Sequence, residues 1–130
     1  MNPEAHDLSR ITDAVIGRSF AVLNTLGAGF LEKVYENALA HELRKAGMNV
    51  YQQRAVDVTY DGIVVGSYIA DILVENAVVV ELKVVNALAP AHIAQGLNYL
   101  LATGLPLCLL LNFGNPKLQV KRVAHPSVRF

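Results

Sequence analysis

Cysteine is almost absent from the sequence, which excludes a fold held together by internal disulfides. Cys108 is the one cysteine among 130 residues. It lies inside the apolar run 105–111, a position typical of a buried core thiol rather than a reactive nucleophile. A chain of this length can bury a sufficient core without disulfide or metal staples.

The sequence also lacks an apolar run long enough for a membrane span. Hydrophobic residues make up 53% of the chain, a composition that fits either membrane spans or strands buried on both faces. Polar residues and prolines interrupt the longest uncharged stretch, 84–115, which therefore falls short of the roughly 20 apolar residues of a spanning helix. The polar N-terminus argues against a signal peptide. We expect a soluble, cytoplasmic protein with one domain over residues 1–130.

Neither sign of charge is in excess, since the chain has 11 basic and 11 acidic residues. Proteins that bind nucleic-acid duplexes usually carry a basic excess, so the composition does not favour this class. Basic residues concentrate only near the C-terminus, at Lys117, Lys121, Arg122 and Arg129. This group is either a phosphate-binding edge or an ordinary charged edge strand that prevents pairing between sheets.

The apolar periodicity predicts an α/β (α+β) fold with a mixed central β-sheet flanked by helices, in the order α-α-β-β-β-β-α-β-β. The first helix begins between Pro3 and Ser9 and ends at Gly27, the second covers about 30–46, and the third covers about 91–103. The strands are expected at 56–60, 63–68, 69–74, 77–85, 105–113 and 118–123, with a hairpin turn at Asp61-Gly62. The solvent face of the second helix is predicted at Lys33, Asn37, Ala40 and Arg44.

Charged side chains interrupt two otherwise apolar strands. Glu81 and Lys83 lie two residues apart, hence on one face of a strand, and burying either alone would cost several kcal/mol. They are either groups that reach water at a strand end, a structural ion pair, or part of a site. Asp71 lies opposite Glu81 only if Val74 pairs with Val78, across a three-residue connection or through a bulge with the same offset; a two-residue turn would place the two carboxylates on opposite faces. Two carboxylates on one face repel unless a proton or cation lies between them, and Mg²⁺ prefers such oxygen ligands.

Polar residues also occur on predicted core faces of two helices. Glu32 aligns with Tyr35 on the core side of the second helix, although a carboxylate near a helix start can also serve the free amides there. Glu36 is expected to be solvated or capping. His92, Gln95 and Tyr99 form a row on the third helix; each alone is more often a satisfied buried group than a site residue. His92 has no second histidine at a ligand spacing, and His6, His41 and His125 are expected on the surface.

Six short motifs occur along the chain in a fixed order. They are Gly29-Phe30-Leu31-Glu32-Lys33-Val34-Tyr35, Tyr68-Ile69-Ala70-Asp71, Glu81-Leu82-Lys83, His92-Ile93-Ala94-Gln95, Asn98-Tyr99 and Leu111-Asn112-Phe113-Gly114. The first fits the signature GxxExxY, and the series resembles the GxxExxY proteins, small prokaryotic members of the PD-(D/E)XK nuclease-like superfamily. Each motif alone is weak, but six in series over residues 11–123 are specific.

The resemblance implies a restriction-endonuclease-like core and a role for each matching residue. Asp71 and Glu81 correspond to metal-binding acids, with the backbone carbonyl of Leu82 a further ligand and Glu32 completing the site directly or through a metal-bound water. Lys83 corresponds to the lysine that orients or activates the attacking water, and Gln95 to a helix residue that orients the site. Tyr35, His92 and Tyr99 are expected to support it. Ile69 stands where the family often has an arginine.

The activity implied is hydrolysis of a phosphodiester bond in DNA or RNA with Mg²⁺ or Mn²⁺. Two alternatives remain open at this point. One is a non-enzymatic module, a homo-oligomer or partner-binding domain with a relic acidic site, for which the apolar strand 105–111 suits a homodimer. The other is a nucleic-acid binder without catalysis. A basic groove leading to Asp71 would favour the nuclease, and a mostly negative surface would favour the module.

Overall fold

The computed structural model describes residues 5–128, with side chains from residue 7 onward. The predictions for His6 and Arg129 therefore lie outside the described side chains. The helices are α1 (Ala5–Leu26), α2 (Glu32–Lys45) and α3 (Pro90–Thr103); the strands are β1 (Val50–Tyr60), β2 (Ile63–Val74), β3 (Val78–Lys83), β4 (Leu107–Asn112) and β5 (Gln119–Ala124). Over residues 5–128, no helix has both the length and the apolarity that crossing a membrane requires.

The strands form one mixed sheet in the order β1-β2-β3-β4-β5. β3 and β4 are parallel and joined by α3, and the other neighbours are antiparallel. One apolar core lies between the sheet and the helices α1 and α2, and a second lies between the opposite face and α3. The predicted α+β architecture, a mixed sheet flanked by helices, is confirmed.

Three predictions about this architecture were wrong. The segments 63–68 and 69–74 form one continuous strand, β2, because no turn residue separates Tyr68 from Ile69. Ala40 is fully buried in the core under α2 instead of facing solvent, since a side chain this small fits wherever the helix approaches the sheet. β4 is a central strand buried along its whole length, so it is not available as a dimer interface.

Cys108 is a core residue, as predicted. Its thiol is fully buried on β4, and burial raises its pKa, with the Glu81 carboxylate a smaller cause in the same direction. A thiol that resists ionisation is a poor nucleophile.

Two turns set the register of the strands that carry the predicted site. Asp61 and Gly62 both have positive φ (54° and 74°), as a two-residue type I′ hairpin requires. Glu75 and Asn76 also have positive φ (53° and 52°) in the connection between β2 and β3. Val74 pairs with Val78, so the three-residue connection that the facing of Asp71 and Glu81 required is present.

Candidate active site

Asp71 and Glu81 lie where the pairing between β2 and β3 ends. The ladder runs from Val74↔Val78 to Ile72↔Val80, and the next positions in the same register are these two acids. The Leu82 amide N–H donates to Asp71 Oδ2 at 2.9 Å. A carboxylate therefore replaces a backbone carbonyl as the acceptor here, and the backbone pairing of the two strands ends at the acids.

Glu81 is a carboxylic acid held in an unfavourable environment for its charge. Burial raises its pKa to about 8, with the neighbouring Asp71 charge the next cause; the Asp71 backbone and the Lys83 ammonium act in the opposite direction. Below this pKa the folded protein keeps a proton on Glu81 that an unfolded chain would release. The site therefore holds a proton at a position where a cation could replace it.

Lys83 occupies the same face of β3 as Glu81, one residue pair further along. Its side chain is half-buried, and among the described residues its ammonium forms no ion pair. Its backbone is fixed, because the carbonyl accepts a hydrogen bond from the Phe113 amide at 2.8 Å. An ammonium near two acids but committed to neither remains available to a water molecule or a phosphate.

Glu32 is the first residue of α2 and lies at the open side of the site. The residue is exposed, whereas Tyr35 on the same helix face is buried, so the prediction that Glu32 lies on the core side was wrong: at the first residue of α2 this face has already left the core. Partial burial raises the pKa of Glu32, the Asp71 charge is the next cause, and the Lys83 ammonium lowers it. These couplings place its carboxylate in the electrostatic field of the other predicted site residues.

The polar row of α3 borders the same acids. Tyr68, Ile69, Glu81, His92, Gln95, Gly96, Tyr99 and Leu110 line a recess with a volume of about 30 Å³. This is room for about one water molecule or ion, and not for a nucleobase. Burial, and next the Glu81 charge, raises the pKa of Tyr99 to about 12, so its phenol stays protonated at neutral pH.

His92 caps α3. Its Nδ1 accepts a hydrogen bond from the Ala89 amide at 2.9 Å, which assigns the proton of the neutral ring to Nε2. The ring thus offers a donor to the recess and no free lone pair to a metal. His41 is exposed, as predicted, whereas His125 is half-buried and hydrogen-bonded to Ser127.

The glycines before Glu32 and the tyrosine at the end of the GxxExxY segment have structural roles. Gly27 and Gly29 have φ of 76° and 113°, which disfavour any side chain. The Tyr35 hydroxyl donates to the Gly27 carbonyl at 2.6 Å and accepts from the Phe30 amide at 3.1 Å, and its ring stacks on Phe113 at 4.8 Å. These contacts fix the loop that delivers Glu32 to the site.

The prediction that Glu36 is a solvated or capping residue was wrong. Its side chain is almost completely buried (3% exposed) and accepts hydrogen bonds from Gln52 and Gln53 at 2.8 Å each and from Lys33 at 3.2 Å. Helical spacing alone could not reveal this, because the covering residues come from β1. The polar pair Gln52-Gln53 in a strand was the available signal.

Asn112 belongs to the motif Leu111-Asn112-Phe113-Gly114 but was not predicted as a site residue. In the structure its side chain holds the loop after Lys83 in place. It is fully buried; its Oδ1 accepts from the Val85 amide at 3.0 Å and from the Gly114 amide at 2.9 Å, while its Nδ2 donates to the Val85 carbonyl at 2.9 Å. A Cβ on Gly114 would lie 2.2 Å from that same carbonyl oxygen. The loop between β3 and α3 is therefore tightly held.

The donor set fits a hydrated divalent cation rather than an enclosed one. Across residues 5–128, no three His, Cys, Asp or Glu side chains converge closely enough to surround an ion. Asp71 and Glu81 supply two oxygen donors from adjacent strands, and their mutual repulsion would be relieved by a cation. Mg²⁺ commonly binds to one or two protein carboxylates and keeps several waters.

One solved structure shares this fold over three quarters of the chain. This chain is similar to the crystal structure of SSO0001, with a TM-score of 0.54 and 17% sequence identity over 75% of this chain and 52% of that one. The chain thus spans about half the length of SSO0001. An alkaline exonuclease (LHK-Exo) from Laribacter hongkongensis matches with a TM-score of 0.49 at 14% identity, over 88% of this chain and 82% of that one. No protein with a curated description matches the sequence.

The family comparison covers most of the chain. The model of the PD-(D/E)XK nuclease superfamily matches residues 9–123, a span that contains both acids, Lys83 and the polar row of α3. The chain therefore belongs to the PD-(D/E)XK nuclease superfamily.

Proposed function

We propose that this protein is a metal-dependent nuclease of the GxxExxY type, which hydrolyses phosphodiester bonds in DNA or RNA with Mg²⁺ or Mn²⁺. The observation that carries the proposal is the pair Asp71 and Glu81, facing each other at a strand end with the pKa of Glu81 raised to about 8. The hydrogen bond from the Leu82 amide accounts for Asp71, but it gives no reason for a second half-buried acid beside it. A cation-binding role does, because the cation removes the repulsion.

The Leu82 carbonyl is the proposed third protein ligand. Its own amide points toward β2, where it donates to Asp71. In an extended strand, the N–H and C=O of one residue point to the same side, so this carbonyl is directed toward the same strand. The Lys83 carbonyl points the other way, toward Phe113 on the β4 side. Leu82 therefore supplies an oxygen beside the two carboxylates.

The remaining residues act on the water and the phosphate. When bound, a divalent cation polarises phosphoryl oxygens and lowers the pKa of a coordinated water. Lys83 orients the attacking water and stabilises negative charge that develops on the phosphate. Glu32 holds a water at the open side of the site, and Gln95 orients groups in the recess, with Tyr99 and His92 as hydrogen-bond donors beside it.

The substrate is expected to approach from the open side, since the recess admits about one water molecule. The exposed cations Lys121 and Arg122 lie on the edge strand β5, which β4 separates from β3, so they do not form a groove to Asp71. We interpret them as charged edge-strand residues that block pairing between sheets. Lys117 precedes β5, in the loop that follows β4. We accordingly expect weak, salt-sensitive binding of nucleic acid. We place the protein in the cytoplasm.

A second candidate function, a partner-binding module or homodimer, is favoured by the outer part of the β1-β2 hairpin. Beyond Ala70 this ribbon pairs with no other strand among residues 5–128, and a lone two-stranded ribbon is only marginally stable. It exposes Tyr60, Ile63 and Val65 by 60% or more. Sedimentation analysis of wild type and Ile63→Asp would test the homodimer: loss of a dimer in the variant supports it, and a wild-type monomer contradicts it.

A thermal titration with Mn²⁺ and Mg²⁺ tests the metal site without any knowledge of the substrate. A ligand bound only by the folded protein adds about 2.7 kcal/mol of stability at a hundredfold excess over its Kd. We expect a saturable rise in Tm for wild type that is lost in Glu81→Ala. Glu42→Ala is the matched control, because Glu42 is an α2 acid paired only locally with Lys45. An equal rise in Glu81→Ala would contradict the assignment.

A further inference from the structure

Glu36 is a buried carboxylate whose hydrogen bonds connect two separate parts of the molecule. Its Oε1 accepts from Gln53 Nε2 at 2.8 Å and its Oε2 from Gln52 Nε2 at 2.8 Å, while Lys33 Nζ lies 3.2 Å from both oxygens. Only 3% of the residue is exposed. No substrate can reach it, so any influence on the site must act through these partners.

The partner Gln53 has an unusual backbone conformation opposite Asp71. Gln52 pairs with Ile72 and Arg54 pairs with Ala70, but the pair between them, Gln53 with Asp71, is missing from the ladder. Gln53 has φ of 54°, a region that non-glycine residues adopt at a cost and that is common at functional sites. The pairs on either side keep the same register, so the distortion is confined to Gln53, directly across from Asp71.

Another hydrogen-bond partner of Glu36 is Lys33, which lies on α2 and not on the sheet. It directly follows Glu32, the exposed acid at the start of α2, and Glu36 is one helical turn further on. The same carboxylate therefore contacts the residue next to Glu32 and the residue opposite Asp71. The Glu32 and Asp71 charges are themselves coupled across the site.

We propose that Glu36 is a positioning residue that holds the Gln53 distortion in place and thereby aims Asp71 at the Leu82 amide, while fixing the first turn of α2 that carries Glu32. The inference rests on the proposed function only in treating Asp71 as a metal ligand. The orientation of the Asp71 carboxylate toward the Leu82 amide is a geometric property, which can be measured without metal.

The hydrogen bond from the Leu82 amide to Asp71 provides that measurement. We expect Glu36→Gln to speed hydrogen exchange at Leu82 about fivefold to tenfold, the factor that corresponds to the net contribution of one hydrogen bond. In this variant an N–H₂ group replaces one carboxylate oxygen and faces the Nε2 donor of either Gln52 or Gln53, so one of the two hydrogen bonds is lost with little change in volume. The amides of Val79 and Leu109, in the core of β3 and β4, should keep their protection. The control is Glu42→Gln, which should change none of these amides.

A second variant separates positioning from stability. Glycine adopts positive φ without a steric penalty, so Gln53→Gly should make the distortion independent of Glu36. We expect the double variant Glu36→Gln with Gln53→Gly to recover most of the protection of the Leu82 amide. The Mn²⁺ affinity should likewise be lowest in Glu36→Gln alone and recover in the double variant. Unchanged exchange at Leu82 in Glu36→Gln, or a uniform increase over all core amides, would overturn the proposal. If wild type binds no Mn²⁺, the metal proposal fails, whereas the Leu82 exchange still decides the positioning role.

Discussion

Replacing Glu81 by glutamine should stabilise the metal-free protein at neutral and alkaline pH, although it removes a residue that we propose is essential. Glutamine has nearly the size of the protonated acid and no charge to desolvate. The folded-state pKa of about 8 lies above the ordinary value of 4.5, so the folded state binds the extra proton between these values. Wild-type stability must therefore fall as pH rises from about 4.5 to about 8, and level off above.

The size of this effect follows from the same two values. At about 1.36 kcal/mol for each pH unit between them, the limit is on the order of 5 kcal/mol, and partial hydration of the site reduces it to roughly 3 kcal/mol. Urea unfolding in EDTA, from pH 4.5 to 8.5, measures it as the difference between Glu81→Gln and wild type. Other titrating groups largely cancel in that difference. A difference in unfolding free energy that is independent of pH would refute the reasoning.

Three further changes test other parts of the site. Lys83→Ala should keep Mn²⁺ binding and lower turnover of a cleaved substrate by about 10²- to 10³-fold, as loss of one charge-stabilising donor does; unchanged turnover would remove Lys83 from the mechanism. Asn112→Ala should destabilise the fold by roughly 1–3 kcal/mol in urea, since it removes the partner of the half-buried Val85 amide and carbonyl. Gly114→Ala should lower Tm as well, because its Cβ would meet the Val85 carbonyl oxygen at 2.2 Å; a neutral result would show that the loop can move.

The register at the acids could be predicted from the sequence only as a condition, that Val74 pairs with Val78, because a two-residue turn was equally compatible with the pattern. The structure meets this condition, with Glu75 and Asn76 at positive φ in a three-residue connection. The row of His92, Gln95 and Tyr99 was also visible, since helical spacing alone puts these side chains on one face.

The parts of the site that sequence patterns missed depend on contacts between distant segments. Glu36 looks like a surface residue along α2, and only the approach of β1 brings Gln52 and Gln53 over it. Asn112 is one polar residue in an apolar run, and nothing in the run indicates that the Val85 backbone will use both ends of its amide. Such partners are set by tertiary packing, which periodicity does not encode.

Calorimetric titration of Mn²⁺ at pH 7, in two buffers with different ionisation enthalpies, tests the central claim most directly. If a cation replaces the proton on Glu81, whose pKa is about 8, each bound ion should release about one proton. We expect wild type to bind Mn²⁺ saturably with this proton release, and Glu81→Gln to show neither the binding nor the release. Binding without proton release, or equal binding by the variant, would contradict it.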